Sequence, residues 1–463
     1  METESLILEN LSRFFNEKGP YYTSYPTRGE WKQPFSHSYY LECLKDFFNE
    51  EGVDAPLHLY IHIPYCAKLC FYCICNIQVT NSDEKKQKFV DVLLQEIQML
   101  SNFFQTNKIQ PNIREIHFGG GTPSHLSHAQ LQQIVNILKQ FVSFASLDEF
   151  AMEIDPRTVS QEDLEYYSSF GVHRISFGVQ DFDPKVQKAI NRIQPKELVE
   201  NLISGPIRKN FRSLNFDLLY GLPLQTRETF RETVRITNSL RPDRVTLLKY
   251  AHVPDVRKHM KAIKSADLPP EDDLPHMFYD AITGLREGGY SWIGIDNFAL
   301  PTDSLAQAQE KGTVGRNFGG FTPGRTKHLI GLGPSTTSSF GRFYCQTTSN
   351  VEEYMEIVQK QNLPVTHGYV LNDDDEIRRE VILSLICKMG VDYTKINDAY
   401  QIDFRFYFKD ELEALAKNHV SNGNLVIHKD KIEVTSMGRY FVRNICKTFD
   451  VFHRNKDYKI YGP

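Results

Sequence analysis

Four of the eight cysteines in this 463-residue sequence fall within ten residues: Cys66, Cys70, Cys73 and Cys75. Thiolates are soft ligands that favour iron–sulfur clusters or zinc over hard cations. The run C-x-x-x-C-x-x-C offers three close ligands, enough for three corners of a cubane [4Fe–4S] cluster. The fourth iron then stays open to a small molecule. A zinc ribbon needs two separated Cys or His pairs, and no second pair follows downstream. A four-thiolate zinc site that recruits Cys75 and a knot of structural cysteines are the competing readings. Disulfides fit poorly, because Cys43, Cys345, Cys387 and Cys446 are scattered like small buried residues in a reducing compartment.

Something must hold that cysteine loop. The alternating segment Leu57–Ile63 reads as a strand running directly into it. Further strand candidates are Ile113–Phe118, Phe150–Ile154, Arg174–Val179, Leu214–Leu219 and Arg244–Tyr250. Helical patterns lie between them: Asp83–Phe104, Ser127–Phe141, Ser160–Phe170, Pro184–Ile190 with Lys196–Lys209, and Glu228–Leu240. Repeated βα units predict parallel strands joined by right-handed crossovers. Six units fall short of the eight of a closed barrel, so the expected fold is α/β, a partial (β/α)6 TIM-like barrel.

Position strengthens the reading. In parallel α/β folds chemistry gathers beyond the carboxyl ends of the strands. Here those ends carry the cysteine loop, Gly119-Gly-Gly-Thr-Pro123, Glu153-Ile-Asp-Pro156, Gly178-Val-Gln180-Asp181, Asp217 before Tyr220-Gly-Leu-Pro223, and Tyr250-Ala-His252.

Around the barrel the expected organisation is an N-terminal arm over 1–50, the barrel over 51–300, a wrapping segment over 301–365, and a mostly helical, winged-helix-like domain over 366–463. In the last, Ile377, Val381, Leu385 and Met389 recur at i, i+4, and Leu425–His428 with Lys431–Thr435 reads as a hairpin. A net charge of −5 leaves no basic footprint for nucleic acid. No apolar run approaches the ~18–20 residues of a membrane span. The acidic Met1–Asn10 lacks the basic region of a secretory leader. The expectation is a cytoplasmic monomer without membrane or nucleic-acid partners.

At the cysteine loop the sequence resembles the radical S-adenosylmethionine (SAM) superfamily. The longer pattern C-x-x-x-C-x-x-C-x-C, preceded by Tyr60-x-His62-Ile-Pro-x-Cys66, is similar to the oxygen-independent coproporphyrinogen III oxidase (dehydrogenase) family. The resemblance runs from about Tyr21 to Phe449 and includes Asn215-Phe-Asp-Leu-Leu-Tyr-Gly-Leu-Pro223, Arg378-Arg379 and Gly438–Cys446. It implies a [4Fe–4S] cluster on Cys66, Cys70 and Cys73, and two SAM molecules. Tyr60, Gly120, Glu153 and Thr337 correspond to the first SAM site. Tyr72, Gly121, Thr122, Gln180, Arg192, Asp217 and Ala251 correspond to the second. Tyr60 and Cys75 are the implied catalytic positions, with Cys75 facing the second SAM or the substrate rather than the cluster.

The implied reaction is oxidative decarboxylation of two propionates of coproporphyrinogen III to vinyl groups, giving protoporphyrinogen IX. It needs an electron donor and an electron acceptor, neither identified by the sequence. A substrate with four carboxylates calls for cationic anchors, for which Arg192, Lys249, Arg316 and Arg325 are the candidates. Four positions depart from the family pattern. Tyr21 stands where Arg is usual, Ile74 where Gly precedes Cys75, Asn297 where His follows Asp296, and Thr337 where an apolar residue is usual. Because Ile74 disfavours a positive φ, the turn before Cys75 is expected to differ. The alternatives are a relative acting on another tetrapyrrole, such as an anaerobic haem-degrading methyltransferase, or a non-catalytic haem chaperone.

Overall fold

In the computed structural model, residues 7–11, 19–324 and 326–453 are described. Arg325, one of the candidate anchors, lies outside them. Residues 7–11 are helical. The chain then runs through α1 (His37–Glu51), β1 (Leu57–Ile63), α2 (Asp83–Thr106), β2 (Ile113–Gly120), α3 (His128–Leu138) and β3 (Glu149–Ile154). It continues with α4 (Gln161–Ser169), β4 (Arg174–Gln180), α5 (Pro184–Ala189), α6 (Lys196–Ile203), β5 (Ser213–Tyr220), α7 (Arg227–Leu240), β6 (Arg244–Lys249) and α8 (Asp273–Glu287).

Local chemistry sets these boundaries. Ser82 caps α2 by accepting from the Lys85 amide, and capping boxes Ser127/Gln130, Ser160/Asp163 and Thr226/Thr229 open α3, α4 and α7. α6 is shorter than its periodicity suggests. Gly205 takes a φ of +70° ahead of Pro206, so the chain leaves the α-helix after Ile203 and tightens into a 3-10 turn.

β1 to β6 pair in parallel, each strand beside the next. The parallel run is one strand longer than the sequence suggests. β7 (Ser291–Gly294) and β8 (Asn297–Ala299) add antiparallel strands beyond β6, but β9 (His328–Leu332) returns to the far side and lies parallel to β1. β10 (Thr337–Phe340), β11 (Phe343–Thr347) and β12 (Val365–Val370) follow antiparallel, ending at the edge strand Gln33–Pro34. Among the described residues the sheet has thirteen strands. The segment expected to wrap back over the site therefore mostly widens the sheet. The part that turns over the cavity is a hairpin, Gly315–Asn317 with Gly320–Thr322.

The two faces of the parallel strands differ. Leu57, Leu59, Ile61 and Ile63 of β1 are fully buried in a core shared with Phe89 and Leu93 of α2 and with Leu131 and Ile134 of α3. Each such side chain contributes about 1.5–3 kcal/mol of burial. The alternate residues, His58, Tyr60 and His62, point to the concave face, as period-two alternation requires. Polar residues on the neighbouring strands meet them there. His58 faces Glu115 at 3.5 Å, and Glu149 pairs with Arg174 at 2.7 Å and Arg244 at 3.4 Å. The interior is a polar floor beneath the strand ends.

A second core forms from the C-terminal region. α9 (Asp373–Lys388) buries Ile377, Val381 and Leu385 against Phe404, Phe408 and Phe449. Met389 closes the helix in the left-handed conformation and still packs, half-buried, against the same core. The expected hairpin, Leu425–Ile427 with Lys431–Val434, gains a third strand, Gly390–Asp392. Tyr22 and Tyr25 of the N-terminal arm pack into this core, and Tyr22 donates to Asp450 at 3.0 Å. Among the described residues no helix is long and apolar enough to cross a membrane.

Candidate active site

The cysteine loop leaves β1 at Pro64 and is tied to three other elements. The Gln78 and Thr80 amides donate to the Pro64 and Cys66 carbonyls, and the Phe71 amide donates to the Ile190 carbonyl. Asn191 Nδ2 donates to the Leu69 carbonyl at 2.7 Å, and His259 Nε2 donates to the Cys73 carbonyl at 2.7 Å. Close approach of β2 requires a glycine. A Cβ on Gly121 would lie 3.0 Å from the Ile63 carbonyl oxygen and 3.1 Å from Cys66 Sγ. Ile74, where a changed turn is expected, keeps a negative φ and packs on the apolar cluster around Leu219, Leu222 and Met260.

Donors converge on the sulfurs. Thr122 Oγ1 donates to Cys66 Sγ at 3.2 Å, while Arg157 Nη2 and Arg192 Nη1 reach Cys70 Sγ at 3.4 and 3.5 Å. Asp155 holds both guanidinium groups, at 2.7 Å from Arg157 and 3.2 Å from Arg192. Burial alone raises the Asp155 carboxyl, but Arg192 and Arg157 bring it down to about 2. Cys73 is lowered to about 7, chiefly by a hydrogen bond from Cys75, while burial pushes Cys66 up to about 12. A set of thiols held by hydrogen-bond donors and cations suits anionic sulfur ligands.

Next to the loop, His117 Nε2 donates to Glu153 Oε1 at 3.0 Å, and the Gly120 amide donates to Oε2 at 3.2 Å. Arg174 donates to His117 Nδ1 at 3.5 Å, which makes Nε2 the proton-bearing nitrogen. Burial raises the Glu153 carboxyl, and these partners more than offset it, so its pKa falls below the usual value. Asp217 goes the other way. Burial and the nearby Glu153 charge raise it, despite bonds from Ser176 at 3.0 Å and Asn215 at 2.8 Å.

These groups border one cavity of about 1090 Å³. It gathers Cys66, Cys70, Cys73, Cys75, Tyr72, Gly120, Gly121, Thr122, Glu153, Gln180, Arg192, Asp217 and Ala251. Cys75 exposes its surface to this cavity while protein surrounds the rest of it. Tyr60 and Thr337 do not line the cavity. Tyr60 lies one layer beneath, its hydroxyl 3.4 Å from His62 Nδ1 and 2.9 Å from where a Cβ on Gly119 would sit. Thr337 is buried at the start of β10. Asp155 falls within the strand-end motif Glu153-Ile-Asp-Pro156, but neither motif nor spacing singles out His117 or Arg157. The alternation that points Tyr60 inward could have found His117, its register partner on β2.

A family model for the Radical SAM superfamily matches residues 60–236, and one for the HemN C-terminal domain matches residues 371–441. The oxygen-independent coproporphyrinogen III oxidase of Escherichia coli (strain K12) is 37% identical over 442 residues, covering 96% of this chain and 94% of that protein. The chain belongs to the oxygen-independent coproporphyrinogen III oxidase family. The Helicobacter pylori (strain J99) member is 36% identical, covering 97% of this chain and 98% of its own. The solved structure of the E. coli coproporphyrinogen III oxidase, described as a radical SAM enzyme, superposes with a TM-score of 0.87 at 37% identity. It covers 93% of this chain and 97% of that one. The chain is thus a radical SAM enzyme with an α/β fold, a parallel-strand sheet and a helical C-terminal region. Its cofactors are a [4Fe–4S] cluster and SAM. The cavity fits that set, since the motif cysteines share one wall with Gly121 clearing space beside Cys66.

Proposed function

We propose that this enzyme converts two propionate side chains of coproporphyrinogen III into vinyl groups, yielding protoporphyrinogen IX. The observation that carries the reading is the shared cavity. It brings Cys66, Cys70 and Cys73 to the same space as Cys75 and the polar groups Glu153 and Asp217. The relatives named for this activity favour it over a haem-degrading methyltransferase or a haem chaperone.

Cys66, Cys70 and Cys73 would hold three irons of the cluster, with SAM on the fourth. When bound, these groups supply hydrogen-atom abstraction at the propionate β-carbon, and loss of carbon dioxide and one electron to an acceptor leaves the vinyl group. The chain supplies the geometry. Glu153, ionised and oriented by His117 and Gly120, accepts from the amino or ribose hydroxyl groups of the first SAM. Gly120 and Gly121 let backbone approach it. Tyr60 backs that site from below through His62, and Thr337 acts only through the strand packing around Gly331. Asp217, Gln180, Arg192, Tyr72, Thr122 and Ala251 border a second SAM, and Cys75 faces it or the substrate.

The test is anaerobic incubation with SAM, a reductant and coproporphyrinogen III, with products read by mass. Protoporphyrinogen IX, lighter by two carbon dioxide molecules and four hydrogen atoms, is the expected product. A methylated or ring-opened tetrapyrrole overturns the reading.

A further inference from the structure

The part of the cavity wall built from the N-terminal arm, the hairpin and the helix Val442–Lys447 carries a cluster of cations organised around Tyr21. Arg443, on the helix Val442–Lys447, sits over the Tyr21 ring with its guanidinium carbon 3.9 Å from the centroid. It is pinned there by donating to the Pro20 carbonyl at 3.0 Å and the Gly19 carbonyl at 2.6 Å. The Tyr21 hydroxyl reaches the backbone of Lys249, at the end of β6, and Lys249 in turn feels the Arg443 charge. Arg316 enters from the hairpin over the cavity, stacked on Phe321 at 4.6 Å. All four side chains line the cavity, together with Asp296.

Two features point to an anionic ligand. Arg316 Nε and Nη1 are buried without a hydrogen-bond partner, which is costly for guanidinium donors unless something completes them. The charges are also unbalanced. Arg316 and Arg443 both act on the one carboxylate of Asp296, while Lys249 lies within reach of the Glu271 charge. The loop-side arginines differ, since Arg157 and Arg192 are both paired with Asp155.

We infer that Arg316, Arg443 and Lys249 form the carboxylate subsite that holds the propionates the reaction leaves intact, so the other two are presented to the cysteine-loop wall. This rests on the proposed reaction and adds which wall holds which end of the substrate. It divides the candidate anchors: Lys249 and Arg316 serve, Arg192 does not, and Arg443 joins them. It also accounts for Tyr21, whose ring supplies a flat seat for Arg443.

The probe is coproporphyrin III, the stable oxidised tetracarboxylate, titrated by fluorescence into anaerobically reconstituted holoenzyme. Its tetramethyl ester serves as the uncharged control. Wild-type protein should bind the acid and discriminate against the ester. Arg316→Met and Arg443→Met, which keep most of the apolar side-chain volume, should each weaken binding of the acid roughly 10- to 100-fold and leave ester binding unchanged. Arg316→Lys and Arg443→Lys should recover part of the loss. Iron content and SAM affinity report whether each variant is folded, and Lys249→Met repeats the test should one arginine variant misfold. Wild-type turnover with unchanged acid affinity in the Met variants overturns the subsite and leaves the reaction standing. Equal binding of acid and ester by wild-type protein also overturns it. No binding and no decarboxylation by wild-type protein overturns the reaction, and the subsite with it.

Discussion

His117 donates to Glu153 across 3.0 Å, from a strand whose other neighbour supplies Tyr60. The contact leaves Glu153 ionised and aimed into the cavity, where a carboxylate can accept from the polar groups of SAM. Glu153→Gln keeps the shape and removes the charge. It should weaken SAM binding roughly 10- to 100-fold while retaining the cluster, since a hydrogen bond to a charged group is worth about 1.5–3 kcal/mol. Equilibrium dialysis with labelled SAM, alongside iron analysis, reads both quantities. Undiminished SAM affinity would return Glu153 to a purely structural pairing with His117.

The sulfur ligands can be separated from their supports. Cys66→Ala, Cys70→Ala and Cys73→Ala should each abolish the cluster, seen as loss of about four irons per chain and of the reduced-cluster EPR signal. Thr122→Val should not. It removes one donor from the Cys66 sulfur, so electron density on the thiolate rises and the cluster becomes harder to reduce. The expected result is full iron content with a more negative midpoint potential. An unshifted potential would show that the 3.2 Å contact does not persist in the loaded enzyme.

Strand order was legible because each βα unit writes itself locally. β1 to β6 begin and end within two residues of their periodic patterns, and the serine and threonine caps mark where four helices start. The cavity-lining strand ends were legible for the same reason, since Gly119–Thr122, Glu153 and Asp217 follow directly from a parallel sheet. Long-range pairing was not. Nothing in His328–Leu332 announces that it will dock parallel to β1, 265 residues or more back in the chain, because that register depends on what surrounds both strands. Arg443 was equally hidden. Its place in the cavity depends on the packing of the C-terminal helix against Gly19 and Pro20, a contact more than 420 residues apart.

The returning strand brings a pH-sensitive joint. Glu96 of α2 is buried at 2% exposure and accepts from the Tyr354 hydroxyl at 2.6 Å and from the amide of Gly333, just past β9, at 2.9 Å. Burial raises its carboxyl to about 7 despite both donors. The folded state therefore prefers the neutral acid. That contribution is fully present below about pH 4.5 and is lost as pH rises through about 7. Across that window the linkage amounts to about 3 kcal/mol. Glu96→Gln keeps an oxygen acceptor and cannot ionise. Anaerobic melting at pH 5.5, 6.5 and 8 should show wild-type protein losing stability relative to this variant as pH rises. Parallel melting curves would mean that the carboxylate is already satisfied.

Cys75 carries the most specific prediction about turnover. It lies two residues beyond Cys73, hydrogen-bonds to it, and exposes its remaining surface to the cavity. A cubane held by three cysteines and SAM has no vacant iron for a fourth thiolate, which leaves Cys75 available to the second SAM or the substrate. Cys75→Ser preserves a donor toward Cys73 and changes only the atom facing the cavity. The variant should keep its iron and still cleave SAM to 5′-deoxyadenosine under reducing conditions. It should lose most of its protoporphyrinogen IX, roughly 10²- to 10⁴-fold if the thiol handles a proton. The measurement is the ratio of the two products in single anaerobic reactions. Formation of both at wild-type rates would make Cys75 a supporting residue of the loop, and loss of iron would make it a ligand.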